Sequence, residues 1–144
     1  MRKRSKLTSE VVRKKCVELA KKIVRRQHNY TCEFCGKREP NVKTHGSHIF
    51  SEGIYRSMSA DLENILCLCF THHLGGWNAK EPSWHKNPIE MTDWFKEKFP
   101  ARYKTLKEKS RSSVQCDLSF WENKLKKLQQ IWNKLEKKER LVQF

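Results

Sequence analysis

The sequence predicts an α+β fold: a short two-stranded centre held between long basic helices. Three observations carry that reading. Apolar residues recur at helical three-four spacing near both ends of the 144-residue chain. Between Tyr30 and Leu68 that period is lost, and two short strand-like stretches replace it. Within the same region stand two close pairs, Cys32-x2-Cys35 and Cys69-x2-His72, with 33 residues between Cys35 and Cys69.

Residues 8–28 form the first expected helix. Val12, Cys16, Leu19 and Ile23 make its apolar stripe, Val11, Ala20 and Val24 widen it, and Thr8 or Ser9 caps it. Cys16 lies on that stripe with no partner at ligand spacing and reads as core. His28 reads as a surface residue at the helix end, where the C-terminal dipole favours it. Gly36 follows the first Cys pair, where a tight turn needs positive φ. A strand is expected over 44–50, a loop over 51–63, a second strand over 65–68 and a turn of helix from Thr71 to about Trp77. Asn87-Pro-Ile-Glu90 reads as a capping box opening a helix that stops at Pro100. Leu118, Trp121, Leu125, Leu128, Trp132 and Leu135 form a heptad seam on a helix over 117–138, capped by Asp117 or by Ser119 with Glu122. That seam serves either to pack back on the first helix or to pair two copies in a homodimer. The expected organisation is a basic helix over 1–29, a central module over 30–86 and a helical region over 87–144.

Charge follows the same division. Residues 1–28 hold eleven Lys/Arg against two Glu, and residues 101–144 hold twelve against five acids. Residues 29–100 hold eight against nine, so the net +15 sits on the flanks. Such a distribution attracts polyanions, with Lys and Arg neutralising phosphate; Arg25, Arg26, Arg56, Lys126 and Lys127 are the expected nucleic-acid contacts. No apolar run suits a bilayer span, and the basic N-terminus has no apolar stretch behind it to make a secretory signal. The paired cysteines therefore point to metal in a reducing cytosol (a host's cytoplasm if phage-encoded) rather than to disulfides.

Cys32, Cys35, Cys69 and His72 suit a closed tetrahedral zinc site, because thiolate and imidazole are the donors zinc prefers. The C-x2-H spacing selects Cys69, with Cys67 the alternative ligand. His48, Asn64 and His73 are left over from that set. Phosphodiester hydrolysis needs a base to activate water and positive charge on the phosphate. Histidine titrates near neutrality, so His48 suits the base, and a hard cation such as Mg²⁺ or Mn²⁺ supplies charge.

Cys32-x2-Cys35, Ser47-His48-Ile49 and Asn64-Ile65-x3-Cys69-x2-His72-His73 together resemble an HNH endonuclease, one of the ββα-metal (His-Me finger) nucleases with zinc knuckles. The resemblance covers about residues 30–78. It implies a ββα-metal module in which His48 is the general base, Asn64 orients the second strand and loop, and His73 helps hold one catalytic divalent cation, with Asn64 also counted among its ligands. Ser47 stands where many of these nucleases carry an acidic or histidine ligand. A second anchor is then sought among His45, Glu52, Asp61 and His85; His45 would need a strand bulge to reach. The wider layout is similar to phage recombination endonucleases of the lambda NinG/Rap kind, which implies branched DNA such as a Holliday junction as substrate. The reading from another class is a non-catalytic zinc-dependent nucleic-acid-binding protein. Tyr55, Trp77 and Trp84 suit base stacking only if exposed, and Trp84 is expected instead to pack over the metal module.

Overall fold

A computed structural model describes residues 8–76 and 80–142. It is a mixed α/β structure in which a two-stranded antiparallel hairpin is enclosed by helices. Helix α1 spans Ser9–Gln27, and its cap is Thr8, whose hydroxyl accepts from the Val11 N–H. Strand β1 (Thr44–His48) and strand β2 (Ile65–Cys69) pair in unbroken register from Thr44↔Cys69 to His48↔Ile65. Two 3₁₀ turns, Arg56–Met58 and Leu62–Asn64, shape the loop between them. A short helix α2 (Phe70–His73) follows β2 directly, and α3 (Pro88–Lys98), α4 (Pro100–Arg111) and α5 (Leu118–Val142) complete the chain.

β2 is buried along its whole length, and its alternating side chains serve two different cores. Ile65 and Cys67 join Val12, Cys16, Ala20 and Ile23 of α1 and Trp121 and Leu128 of α5. Leu66 and Leu68 join Cys32, Cys69, Met91, Phe95 and Leu106. The heptad seam packs back within the chain: Leu118, Leu125, Trp132 and Leu135 lie partly buried against the α1 core. Trp121 is 1% exposed at its centre. Trp121→Ala is expected to cost about 3–5 kcal/mol, read as a lowered denaturant midpoint in a zinc-loaded sample.

Several expectations for single elements change. Pro100 ends α3 but is also the first residue of α4, a helix the sequence reading did not include. Its signal was the spacing of Phe95, Phe99, Tyr103 and Leu106, which continues across the proline and packs those rings and Leu106 into the second core. Arg102 fastens α4 to the hairpin by donating to the carbonyls of Glu63 and Ile65. The Asn87 side chain forms no capping box. Its Oδ1 accepts from the Ser83 N–H at 3.2 Å and so closes the preceding turn. Asp117, by contrast, accepts from the Phe120 N–H at the start of α5. α2 ends at His73, and Trp77 lies outside the described residues. Val11 is 44% exposed and adds nothing to the α1 stripe. Among the described residues no helix is long and apolar enough to cross a membrane.

Candidate metal centre and histidine cleft

The first close pair forms a knuckle on the edge of β2. Glu33 N–H donates to the Cys67 carbonyl and the Cys67 N–H donates to the Glu33 carboxylate, so the turn is pinned to the strand from both sides. Gly36 has φ +77°, the left-handed geometry that lets the turn close after Cys35. Cys69 ends β2 and His72 lies one turn along α2, which brings all four ligand atoms within 4.8 Å of one another. The gaps are 3.9 Å for Cys35 Sγ to Cys69 Sγ, 3.8 Å for Cys32 Sγ to His72 Nδ1 and 3.1 Å for Cys69 Sγ to His72 Nδ1. A tetrahedral zinc at ordinary bond lengths sets such edges at roughly 3.6–3.8 Å, so the cluster fits a Cys₃His ion. Burial pushes the Cys69 thiol up to about 12, so metal binding must displace its proton. Phe34 tilts over the His72 ring, and Trp84 packs on the same core. Glu81 Oε2 lies 2.8 Å from His72 Nε2 but out of line with its N–H.

Cys67 is fully buried on the other face of β2, against α1 and α5, and takes no part in the cluster. Its thiol is also pushed up to about 12 by burial.

Three other histidines meet in a separate cleft. His48, His73 and His85 line one cleft of about 470 Å³ together with Lys21, Glu52 and Ser51. His48 Nε2 is 2.7 Å from the Ser59 carbonyl oxygen. A carbonyl only accepts, so Nε2 carries the proton and the neutral ring keeps its lone pair on Nδ1. Burial lowers the His48 pKa, helped by Lys21 and Arg13 and opposed by the Ser59 bond and Glu52. The ring is therefore neutral at pH 7 and able to accept a proton. His73 falls to about 4, through burial first and then its neighbours His85, His45 and Lys21.

Asn64 is fully buried and spends its whole amide on the loop. Its Oδ1 accepts from the Phe50 N–H at 2.8 Å, and its Nδ2 donates to the carbonyls of Phe50 and Met58. It joins the two ends of the loop that carries Ser59, and through Ser59 it sets the His48 ring. It ends a 3₁₀ turn just before β2 and is not among the residues lining the cleft, so the structure does not place it beside His73 as the metal ligand expected. Asn64→Ala would orphan these loop groups at about 1–3 kcal/mol apiece. The expected readout is a clear loss of melting temperature with bound zinc unchanged.

The second-anchor expectations also sort themselves. Asp61 caps the Leu62–Asn64 turn and pairs with Lys109 at 2.8 Å, away from the cleft. His45 reaches His73 without any bulge, Nδ1 to Nδ1 at 3.0 Å. β1 is an edge strand and α2 packs beside its start, so a side chain from either face can approach His73. His85 stands with its ring centroid 4.9 Å from that of His73. Glu52 faces the cleft but is ion-paired with Arg13 at 3.4 Å.

The basic residues divide likewise. Arg25 donates to Thr44 and Glu39, and Arg26 is locked to Glu139 and stacked on Trp132, so both hold α1 in place instead of facing a ligand. Arg56 is paired with Glu10 and lines a separate groove. Lys126 and Lys127 remain exposed on α5. Tyr55 is half-buried edge-on to Phe50, so it is no open platform.

No protein-family model, curated protein or solved structure matches the chain. The site itself therefore carries the functional reading.

Proposed function

We propose that this chain is a metal-dependent DNA endonuclease of the HNH class, with a structural zinc as scaffold and His48 as general base. The observation that carries the reading is the placement of His48: held through Nε2 by the Ser59 carbonyl, it shares one cleft with His73 and His85. The strand–strand–helix order of β1, β2 and α2, with Asn64 bracing the loop, supports assignment to a ββα-metal module. In the reaction a water attacks phosphorus, its proton passes to His48 Nδ1, and the P–O3′ bond breaks. The departing 3′ oxygen takes its proton from solvent.

A divalent cation, when bound, neutralises charge on the scissile phosphate and the departing oxygen. His73 would hold it, with His85 as second donor. The Nδ1 contact from His45 orients the His73 ring, as partners of metal-bound imidazoles do. An imidazole pair with no free carboxylate suits Mn²⁺ and similar ions better than Mg²⁺. Exposed lysines of α5, Lys126 and Lys127 among them, supply phosphate contacts, and branched DNA such as a Holliday junction is the substrate we expect.

The test is nicking of plasmid and of four-way junctions with Mn²⁺ or Mg²⁺, with and without chelator. Cleavage that needs the cation and disappears in His48→Ala is the expected result. Binding without cleavage across ions and substrates would instead make this a non-catalytic zinc-dependent nucleic-acid-binding protein.

A further inference from the structure

The cleft has a cation that the reading of the sequence did not single out. Lys21 comes from the middle of α1 and is the one Lys or Arg among the described residues lining the cleft with His48 and His73. Its position is built in. A Cβ placed on Gly46 would lie 2.6 Å from Lys21 Cγ, 2.7 Å from its Cβ and 3.1 Å from its Cα, so β1 meets α1 here only because residue 46 has no side chain. That close approach, two residues before His48, leads the lysine stem over the strand and into the cleft. The ammonium is weakly engaged: Glu18 lies 3.7 Å away and is itself 69% exposed. The charge also acts on the site, since Lys21 helps to lower the pKa of His48. Arg56, counted among the expected nucleic-acid contacts, is paired with Glu10 and lines a separate groove.

Resting on the endonuclease reading, we propose that Lys21 is a catalytic residue that binds a non-bridging oxygen of the scissile phosphate and stabilises the charge that grows there as water adds. Attack on phosphorus by water places an additional negative charge on those oxygens before the P–O3′ bond breaks. A fixed ammonium at that point acts on the transition state more than on bound DNA. Its proton stays on nitrogen; the water's proton goes to His48.

The experiment compares Lys21→Met, Lys21→Arg and Lys22→Met in single-turnover cleavage of a four-way DNA junction with Mn²⁺, alongside wild type and His48→Ala. Methionine keeps an unbranched stem over Gly46, and Lys22 is an exposed neighbour carrying the same charge. Bound zinc and melting temperature are measured for each variant. We expect Lys21→Met to lose roughly 10²-fold in rate with little change in DNA affinity, Lys21→Arg to recover part of it, and Lys22→Met to change less than about threefold. The groups around His48 are Lys21, Arg13, Glu52 and His73, so removing the Lys21 charge should ease protonation of His48 and move the acid limb of the rate profile to higher pH. A merely structural lysine would not move that limb. Cleavage lost in His48→Ala but equal in Lys21→Met and Lys22→Met overturns the role of Lys21 alone. No cleavage by zinc-loaded wild type overturns the endonuclease reading and Lys21 with it.

Discussion

Removing the metal, or replacing Cys32 or Cys69 by serine, is expected to unfold the half of the molecule built on the knuckle, while Cys67→Ser keeps its zinc. Cys32 and Cys69 are 1% and 3% exposed and sit inside the core that also holds Leu66, Leu68, Met91, Phe95 and Leu106. An ion at this point joins the knuckle after α1, the end of β2 and the start of α2, which are 40 residues apart from Cys32 to His72. Structural zinc contributes about 10–16 kcal/mol to folding in small metal modules, against a typical net stability of about 5–15 kcal/mol for a whole domain. Loss of the ion therefore removes a contribution of the same size as the whole net stability, and loss of one thiolate weakens the hold on the ion. Cys67 lies on the opposite face of β2 against α1 and α5, and its backbone is held by Glu33 whichever side chain it carries. The check is zinc content by native mass spectrometry together with the helical signal by circular dichroism. Equal zinc loss in the Cys67 and Cys69 variants would undo this assignment of the ligand set.

What could be read from the sequence was what depends on local spacing. The C-x2-C and C-x2-H pairs imply a four-donor cluster because two or three residues of turn or helix suffice to bring each pair together. The α1 and α5 stripes imply buried faces because helical period alone aligns them, although only the folded chain shows that each covers the other. Contacts between distant segments were beyond reach. Arg25 and Arg26 carry the same charge in sequence as Lys126 and Lys127, yet Glu39 and Glu139 are folded against the arginines, while the two lysines are exposed on α5. Asn87 had the residue pattern of a cap, but the nearby Ser83 N–H claimed its side chain. The cleft shows the same limit: alternation along β1 assigns His45 and His48 to opposite faces, and nothing in the period says that α2 packs where His73 meets the first of them. Lys21 was one lysine among many until Gly46 showed how closely α1 approaches the hairpin.

His48→Ala is expected to lower single-turnover cleavage by about 10²–10⁴-fold, the range a positioned general base contributes, while zinc content and melting temperature stay close to wild type. The ring is half-buried and its one hydrogen bond among the described residues is to the Ser59 carbonyl, so its loss leaves a single acceptor there to satisfy by water. The effect on rate is larger because no other group in the cleft can replace it. His73 and His85 are assigned to the cation, Glu52 is engaged by Arg13, and Lys21 is cationic. The pH profile supplies the sign. Burial holds the His48 pKa below its ordinary value of 6.5, so the reactive neutral form persists through neutrality and is lost only as pH falls through that lowered pKa. Wild-type activity should therefore be flat around pH 7 and decline on an acid limb below 6.5, whereas the alanine variant should show no such limb in its residual rate. The same shift bears on stability. A histidine with lowered folded pKa takes up its proton more readily when unfolded, so below pH 6.5 the native state loses ground until the lowered value is reached. Because His48→Ala removes that linkage, the variant should lose less melting temperature than wild type on acidification. An alanine variant that keeps both the acid limb and wild-type cleavage would assign the proton transfer to another group.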